Sequence, residues 1–241
     1  MRNLARVFGS LALFACATLP VPAFAQTPTA ADVGDADSFG HSVIYLGRLQ
    51  SLQIAVRDPC VNEDPTKRRC TSMQHDGTDT IITESDLGVM HLPARATKTL
   101  ICYVYTPFER TEYSNVFPDP RFVHFFMGAD VTIENSVLND PSLMDPFTGQ
   151  PLAGKIKTSI SNLFESRTIT PGSFEVRQDR DSLFCGAGLI SRRQLIDLYK
   201  LTPTQATAFF ARPITLRFGA SGQIHEGNLD FFYVMRFFGD N

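Results

Sequence analysis

The chain has 241 residues, of which 43% are hydrophobic and 20 are phenylalanine, so it holds enough apolar material for a sizeable core. Its 22 basic and 25 acidic residues give a formal net charge of −3. This balance argues against nucleic acid as a partner, because nucleic acid selects a clustered basic face. The chain has no tryptophan, which removes the commonest stacking platform for sugars.

Residues 1–25 are predicted to be a cleaved signal peptide. Arg2 and Arg6 supply its basic start, an apolar run follows over residues 7–19, and Ala23-Phe24-Ala25 matches a cleavage site with small residues. Cleavage changes the formal net charge from −3 to −5, because the signal carries two basic residues and no acidic ones. We therefore expect a periplasmic or secreted protein.

A lipoprotein anchored at Cys16 is the alternative, since Leu13-Phe14-Ala15-Cys16 resembles a lipobox. A transmembrane anchor is not expected, because the apolar run is short and is followed by Pro20 and Pro22. The remaining sequence contains no apolar run long enough to span a bilayer, so the mature chain is predicted to lack a transmembrane segment.

Four cysteines remain after cleavage, an even number that fits disulfide bonding in an oxidising compartment: Cys60, Cys70, Cys102 and Cys185. Three pairings are possible. The short separation of Cys60 and Cys70 favours a bridge between them, which leaves Cys102 to pair with Cys185. A structural zinc site is the rival explanation, but the sequence contains no C-x-x-C spacing.

Residues 26–42 are predicted to be a polar leader, and they contain a candidate calcium site. The carboxylates of Asp32, Asp35 and Asp37 lie close together in the sequence, and Ca²⁺ prefers such hard oxygen ligands. The spacing lacks the later ligands of an EF-hand loop, so a solvated turn capped by these aspartates is the alternative. Asp76 and Asp79 form a second, weaker version of the same pattern.

Residues 43–241 are predicted to form a single β-rich domain. Its first strand region, Val43 to Val56, is broken near Gly47 as in a strand with a bulge. Thr97 to Thr106 alternates apolar residues on both faces, which is the pattern of a central strand packed on both sides.

Arg121 to Glu134 predicts one long strand or two strands joined near Gly128. Residues 139–154 contain several prolines and glycines, so they are predicted to be a surface excursion. Shorter strands are predicted at Thr80–Thr83, Leu87–Leu92, Ile156–Ile160, Arg167–Ile169, Ser173–Arg177 and Leu183–Ile190.

Residues 191–211 carry two successive helix-start signals. Ser191 with Gln194, and Thr202 with Gln205, both fit the capping box, in which the side chains at the first and fourth positions cap each other's backbone. We therefore predict a short two-helix insertion.

The chain then returns to strand at Ile214–Phe218 and Leu229–Phe238, predicted to be a hairpin around a loop at residues 219–227. Together these elements predict a mostly β fold, an antiparallel β-sandwich or open barrel with the two-helix insertion near residues 191–211.

The sequence has five histidines, and none of them has the spacing of a known metal-binding motif: His41, His75, His91, His124 and His225. His124 lies among phenylalanines and is predicted to be a hydrogen-bonded core residue. Ser221, His225 and Glu226 fall in the predicted hairpin loop, where a serine, a base and a carboxylate suggest a hydrolase. The surrounding residues do not match the G-x-S-x-G elbow, so a flexible turn is the alternative.

These patterns favour a non-enzymatic binding or structural component of the cell envelope, with no cofactor other than a possible Ca²⁺. A hydrolase that uses Ser221, His225 and Glu226 is one alternative. A calcium-dependent carbohydrate-binding module that uses the Asp32, Asp35 and Asp37 cluster is another.

Overall fold

The structure is a computed structural model that describes residues 37–60, 64–74, 77–180, 182–184 and 188–241. Within these ranges the chain forms twelve strands and two α-helices. The strands are β1 (Val43–Gln50), β2 (Gln53–Arg57), β3 (Arg68–Ser72), β4 (Thr80–Leu92), β5 (Leu100–Ser114), β6 (Arg121–Glu134), β7 (Lys155–Ile169), β8 (Phe174–Asp179), β9 (Leu183–Phe184), β10 (Ile190–Ser191), β11 (Ile214–His225) and β12 (Asn228–Asp240). The helices are α1 (Arg192–Asp197) and α2 (Pro203–Ala211).

The strands form two sheets that pack face to face. The eight-stranded sheet follows the order β10-β5-β12-β2-β3, with β1 also paired to β12 and with β8 and β9 paired to β5. The four-stranded sheet follows the order β4-β11-β6-β7. Phe218 of β11 contacts the rings of Tyr233 and Phe237 of β12, and the Tyr233 hydroxyl donates to the carbonyl oxygen of Gly219 at 3.0 Å. The predicted mostly β sandwich is confirmed, and its strand pairs are antiparallel as predicted except for β2 and β3, which pair in parallel.

The predicted central strand is confirmed in β5, which pairs with β12 on one side and with β8, β9 and β10 on the other. It runs further than predicted, because it continues through Pro107 to Ser114. Pro107 lies between the segments that pair with β9 and with β8, where a missing backbone donor is tolerated.

Several predicted short strands are parts of longer ones. Thr80–Thr83 and Leu87–Leu92 belong to β4, whose register against β11 shifts around Asp86, a residue with a φ of 55°. Ile156–Ile160 and Arg167–Ile169 belong to β7. The predicted bulge near Gly47 is confirmed, since the register of β1 against β12 shifts between Tyr45 and Gly47.

The predicted terminal hairpin is wrong. β11 pairs with β4 and β6 in the four-stranded sheet, whereas β12 lies in the eight-stranded sheet. Most of the predicted loop, up to His225, is strand. Gly222 allows the backbone of β11 to lie close to that of β6, because a Cβ at this position would collide with the carbonyl oxygen of Phe126.

Both predicted helix starts are confirmed, but the predicted capping box is complete only at the second, because the side-chain oxygen of Gln194 makes no hydrogen bond within the described ranges. The Ser191 side chain accepts a hydrogen bond from the Gln194 backbone N–H at 3.1 Å. The Thr202 side chain accepts one from the Gln205 N–H at 3.2 Å, and the Gln205 side chain returns to the Thr202 N–H at 2.9 Å, so this capping box is complete.

The carboxylate of Asp240, at the end of β12, fixes the start of β5. Its two oxygens accept six hydrogen bonds, five from residues 97–100 and one from His41 Nδ1 at 2.7 Å. Three of these donors are backbone N–H groups, which joins the two central strands of the eight-stranded sheet at one end.

The predicted Cys60–Cys70 disulfide is present, with a Cα–Cα distance of 5.8 Å. Cys102 is also disulfide-bonded, but its predicted partner Cys185 lies outside the described residues, as do the predicted signal peptide and Cys16. Disulfides fit an oxidising compartment. Neither α1 nor α2, the α-helices of the described ranges, is long and apolar enough to cross a membrane.

Candidate metal centre

Three potential metal ligands converge on the four-stranded sheet: Asp79, His124 and His225. His124 of β6 lies directly opposite His225 of β11. Asp79 immediately precedes β4, whose first residue Thr80 pairs with Ile224 of β11. The register of three neighbouring strands therefore aligns the three side chains in one row.

His124 points away from the core, contrary to the prediction that it is a core residue. Its neighbours in β6, Val123 and Phe125, are buried between the sheets. Because successive residues of a strand face opposite sides, His124 faces outward together with Phe122. The three donors thus lie on the outer face of the sandwich.

The carboxylate of Asp79 bridges the two imidazoles. Its Oδ1 lies 2.9 Å from His225 Nδ1, and its Oδ2 lies 3.2 Å from His124 Nε2. The rings are parallel within 3°, with centroids 5.3 Å apart. All three side chains are half-buried, so one side of the cluster is held by the sheet and the other faces solvent.

Electrostatics favour the ionised form of Asp79. Burial by itself would raise the pKa of this carboxyl, but hydrogen bonds from His225 and His124 outweigh it and lower the pKa below its ordinary value. The cluster therefore presents a carboxylate and two imidazole nitrogens, which is a donor set that divalent transition metals prefer.

The spacing of the donors also fits a metal ion. The ligand atoms of the three residues all lie within 4.8 Å of one another. A tetrahedral Zn²⁺ site holds nitrogen and oxygen donors at about 2.0–2.2 Å, which places neighbouring donors about 3.3 Å apart. The observed contacts of 2.9 and 3.2 Å, each to a different oxygen of Asp79, are close to that value.

The predicted hydrolase residues do not form one cluster. His225 bonds Asp79, whereas Glu226 accepts a hydrogen bond from Arg121 at 2.6 Å. Ser221 is exposed and lies four residues before His225 on β11, which corresponds to about 13 Å along an extended strand. A serine at that distance is outside hydrogen-bond reach of the imidazole.

The predicted calcium site stays a prediction. Asp32 and Asp35 lie outside the described residues. Asp37 is described, and its carboxylate accepts a hydrogen bond from Arg192 at 3.0 Å. Of the second acidic pair, Asp76 lies outside the described residues and Asp79 belongs to the metal cluster.

The comparisons with known proteins identify no family. No protein-family model matches the sequence, and no curated protein matches it. Among solved structures, a chain of the infectious bursal disease virus Gt strain is 10% identical, with 84% of this chain and 38% of that chain covered and a TM-score of 0.18. A chain of the VP2 subviral particle of the same virus is 12% identical, with coverages of 85% and 38% and a TM-score of 0.17. The chain spans less than half the length of those chains, and similarity at these TM-scores carries no inference.

Proposed function

We propose that this chain is an exported binding domain of the cell envelope whose binding site is a divalent metal centre formed by Asp79, His124 and His225. The convergence of these three donors from neighbouring strands carries the proposal. Zn²⁺ is the ion of choice because it accepts two imidazoles and one carboxylate in a tetrahedral site. It also has no redox chemistry, which suits an oxidising compartment.

A binding role suits the position of the cluster. It lies on the outer face of a sheet, where the sandwich holds the donors and solvent reaches them from one side. The hydrolase alternative is not supported, because His225 and Glu226 have separate partners and Ser221 lies at a distance.

Zinc titration tests the proposal. We expect the wild-type chain to bind one Zn²⁺ in isothermal titration calorimetry and to melt at a higher temperature with Zn²⁺, an effect that EDTA reverses. His124→Ala and His225→Ala should each weaken binding at least about tenfold. His91→Ala is the matched control, since His91 lies in the same sheet and contacts Thr215 instead. Binding that survives both cluster variants would refute the metal centre.

The same measurement with Ca²⁺ tests the carbohydrate-binding alternative. A calcium-dependent rise in melting temperature that Asp37→Asn abolishes would support the acidic leader as a calcium site.

Export needs a test of its own. The Cys60–Cys70 disulfide supports an oxidising compartment. Mass spectrometry of the mature protein should find Gln26 as the first residue after cleavage of residues 1–25. A chain that begins with an acylated Cys16 would instead establish the lipoprotein alternative.

A further inference from the structure

Large apolar side chains border the three donors and remain exposed. The ring of Phe122 lies 5.7 Å from the His124 ring and is 58% exposed. Ile81, two residues after Asp79 on the same face of β4, is 62% exposed. Exposed apolar surface rimmed by polar groups is found at interaction and ligand-binding sites.

Asp79, His225 and His124 lie in one row across neighbouring strands, here called the donor row. The exposed apolar side chains lie on both sides of it. His225, His124 and Ser166 lie opposite one another across β11, β6 and β7. The adjacent row across the four strands contains Ile81, Gln223, Phe126 and Phe164, and Phe164 is 67% exposed. Phe122 lies on the other side of the donor row, two residues before His124 on the same face of β6.

We propose, on the basis of the metal centre proposed above, that the bound ion takes a small ligand that joins a nitrogen or oxygen donor to an aromatic body. Three protein donors leave at least one coordination position of Zn²⁺ to a ligand from outside the chain. The aromatic body then packs against Phe122 on one side or against Ile81 on the other, which removes apolar surface from water.

The spacing of the apolar side chains around the donors suits a small molecule. Phe122 and Phe126 are four residues apart on β6, which corresponds to about 13 Å along the strand. That span matches one or two aromatic rings centred on the ion.

The test compares two ligands that differ only in the aromatic body. Imidazole and 4-phenylimidazole are titrated into the chain loaded with Co²⁺, whose visible spectrum changes when a new ligand coordinates. Both ligands supply the same donor ring, so the ratio of their affinities reports the contact made by the phenyl group. We expect wild type to bind 4-phenylimidazole about tenfold more tightly than imidazole, as partial burial of a phenyl group predicts.

Two substitutions, alone and combined, test whether the exposed apolar side chains beside the donors contact the ligand: Phe122→Ser and Ile81→Ser. Phe122 contacts the His124 ring, so each variant is first shown to fold and to bind Co²⁺. In the combined variant the ratio should fall towards one. Phe147→Ser is the matched control, because Phe147 is 76% exposed in the loop that follows β6 and lies away from the donors. This variant should keep the wild-type ratio.

The outcomes separate the two proposals. A chain that binds neither Co²⁺ nor Zn²⁺ refutes the metal centre and with it this inference. A chain that binds Co²⁺ but shows no preference for 4-phenylimidazole overturns only the inference about the ligand. A preference that persists in the combined Phe122 and Ile81 variant also overturns it.

Discussion

Asp79 and Asp240 both contact a histidine, but their surroundings differ. The carboxylate of Asp240 is buried and accepts six hydrogen bonds, three of them from backbone N–H groups. The carboxylate of Asp79 faces solvent on one side and contacts two parallel histidine rings.

These surroundings indicate that the Asp240 carboxylate is structural and that the Asp79 carboxylate is available to a ligand. Three of the six donors around Asp240 are backbone N–H groups and two are threonine hydroxyls, so removing the carboxylate carries an energetic penalty. Both partners of Asp79 are side chains that can coordinate a metal through the same atoms that now face the carboxylate. We therefore expect substitutions at Asp240 to change stability and substitutions at Asp79 to change binding.

The largest effect is expected for Asp240→Ala. Removing this carboxylate takes an acceptor from the backbone N–H groups of residues 98–100, although the Lys98 N–H keeps the Asp240 carbonyl oxygen at 3.1 Å, and the free energy of unfolding should fall by about 3 kcal/mol. Urea unfolding measures the change. Asp197→Ala, at an exposed helical aspartate, is the control and should stay within about 0.5 kcal/mol of wild type. If Asp79→Ala is as destabilising as Asp240→Ala, the distinction fails.

Asp79→Asn should remove stabilisation by zinc. At a free Zn²⁺ concentration one hundred times the Kd, wild type gains about 2.7 kcal/mol, and the variant should lose most of this gain. Without zinc the variant should unfold within about 1 kcal/mol of wild type, because few contacts are lost. Urea unfolding with and without zinc measures both quantities. Asp240→Asn should keep the zinc effect, and its loss there would contradict the assignment.

Acid should act mainly through Asp240. Burial alone would raise the pKa of this carboxyl, but hydrogen bonds from His41, Thr99 and Thr97 lower the pKa well below its ordinary value. The stabilisation is therefore present above the unfolded pKa near 3.8 and is lost as the pH falls below it. Wild type should lose up to about 1.4 kcal/mol per pH unit more than Asp240→Asn in that range. Equal slopes in acid urea titrations would exclude Asp240 as the cause.

The smallest effect is expected for His41→Ala. His41 supplies one of the six hydrogen bonds to Asp240, and five remain after its removal. The free energy of unfolding should fall by less than about 1 kcal/mol. His91→Ala, which removes a single bond to Thr215, is a comparable surface change. A loss close to that of Asp240→Ala would show that His41 is essential to this group of bonds.

The sequence predicts those features whose signals lie within a few residues of one another. Thr202 and Gln205 are three residues apart, so a capping box can be recognised without knowledge of the fold. The break at Gly47 likewise appears within one apolar run. Both features are confirmed because the physical cause is local.

The metal cluster could not be predicted in this way. Asp79 is 45 residues from His124 and 146 residues from His225, and only the register of three strands brings them together. Both faces of β6 carry bulky apolar residues near His124, so the sequence predicts burial on both sides and a core position for His124. This is wrong, because Phe122, on the same face as His124, is 58% exposed.

The predicted terminal hairpin is wrong for a related reason. The small residues 219–222 have the composition of a turn, and a turn there would join two strands of one sheet. In the structure, Gly219 and Gly222 lie within β11, where a Cβ would meet Asp130 or the Phe126 backbone. Composition alone cannot distinguish a glycine that bends the chain from one that permits close packing.

The position of β12 has a consequence for biosynthesis. This strand follows every other described strand in the chain, yet it lies between β5 on one side and β1 and β2 on the other. A translation product that stops before Asn228 leaves those three strands without their shared neighbour and exposes their apolar faces. Such fragments should be degraded by proteases rather than accumulate, so the amount of protein in the cell depends on complete synthesis and delivery of this segment.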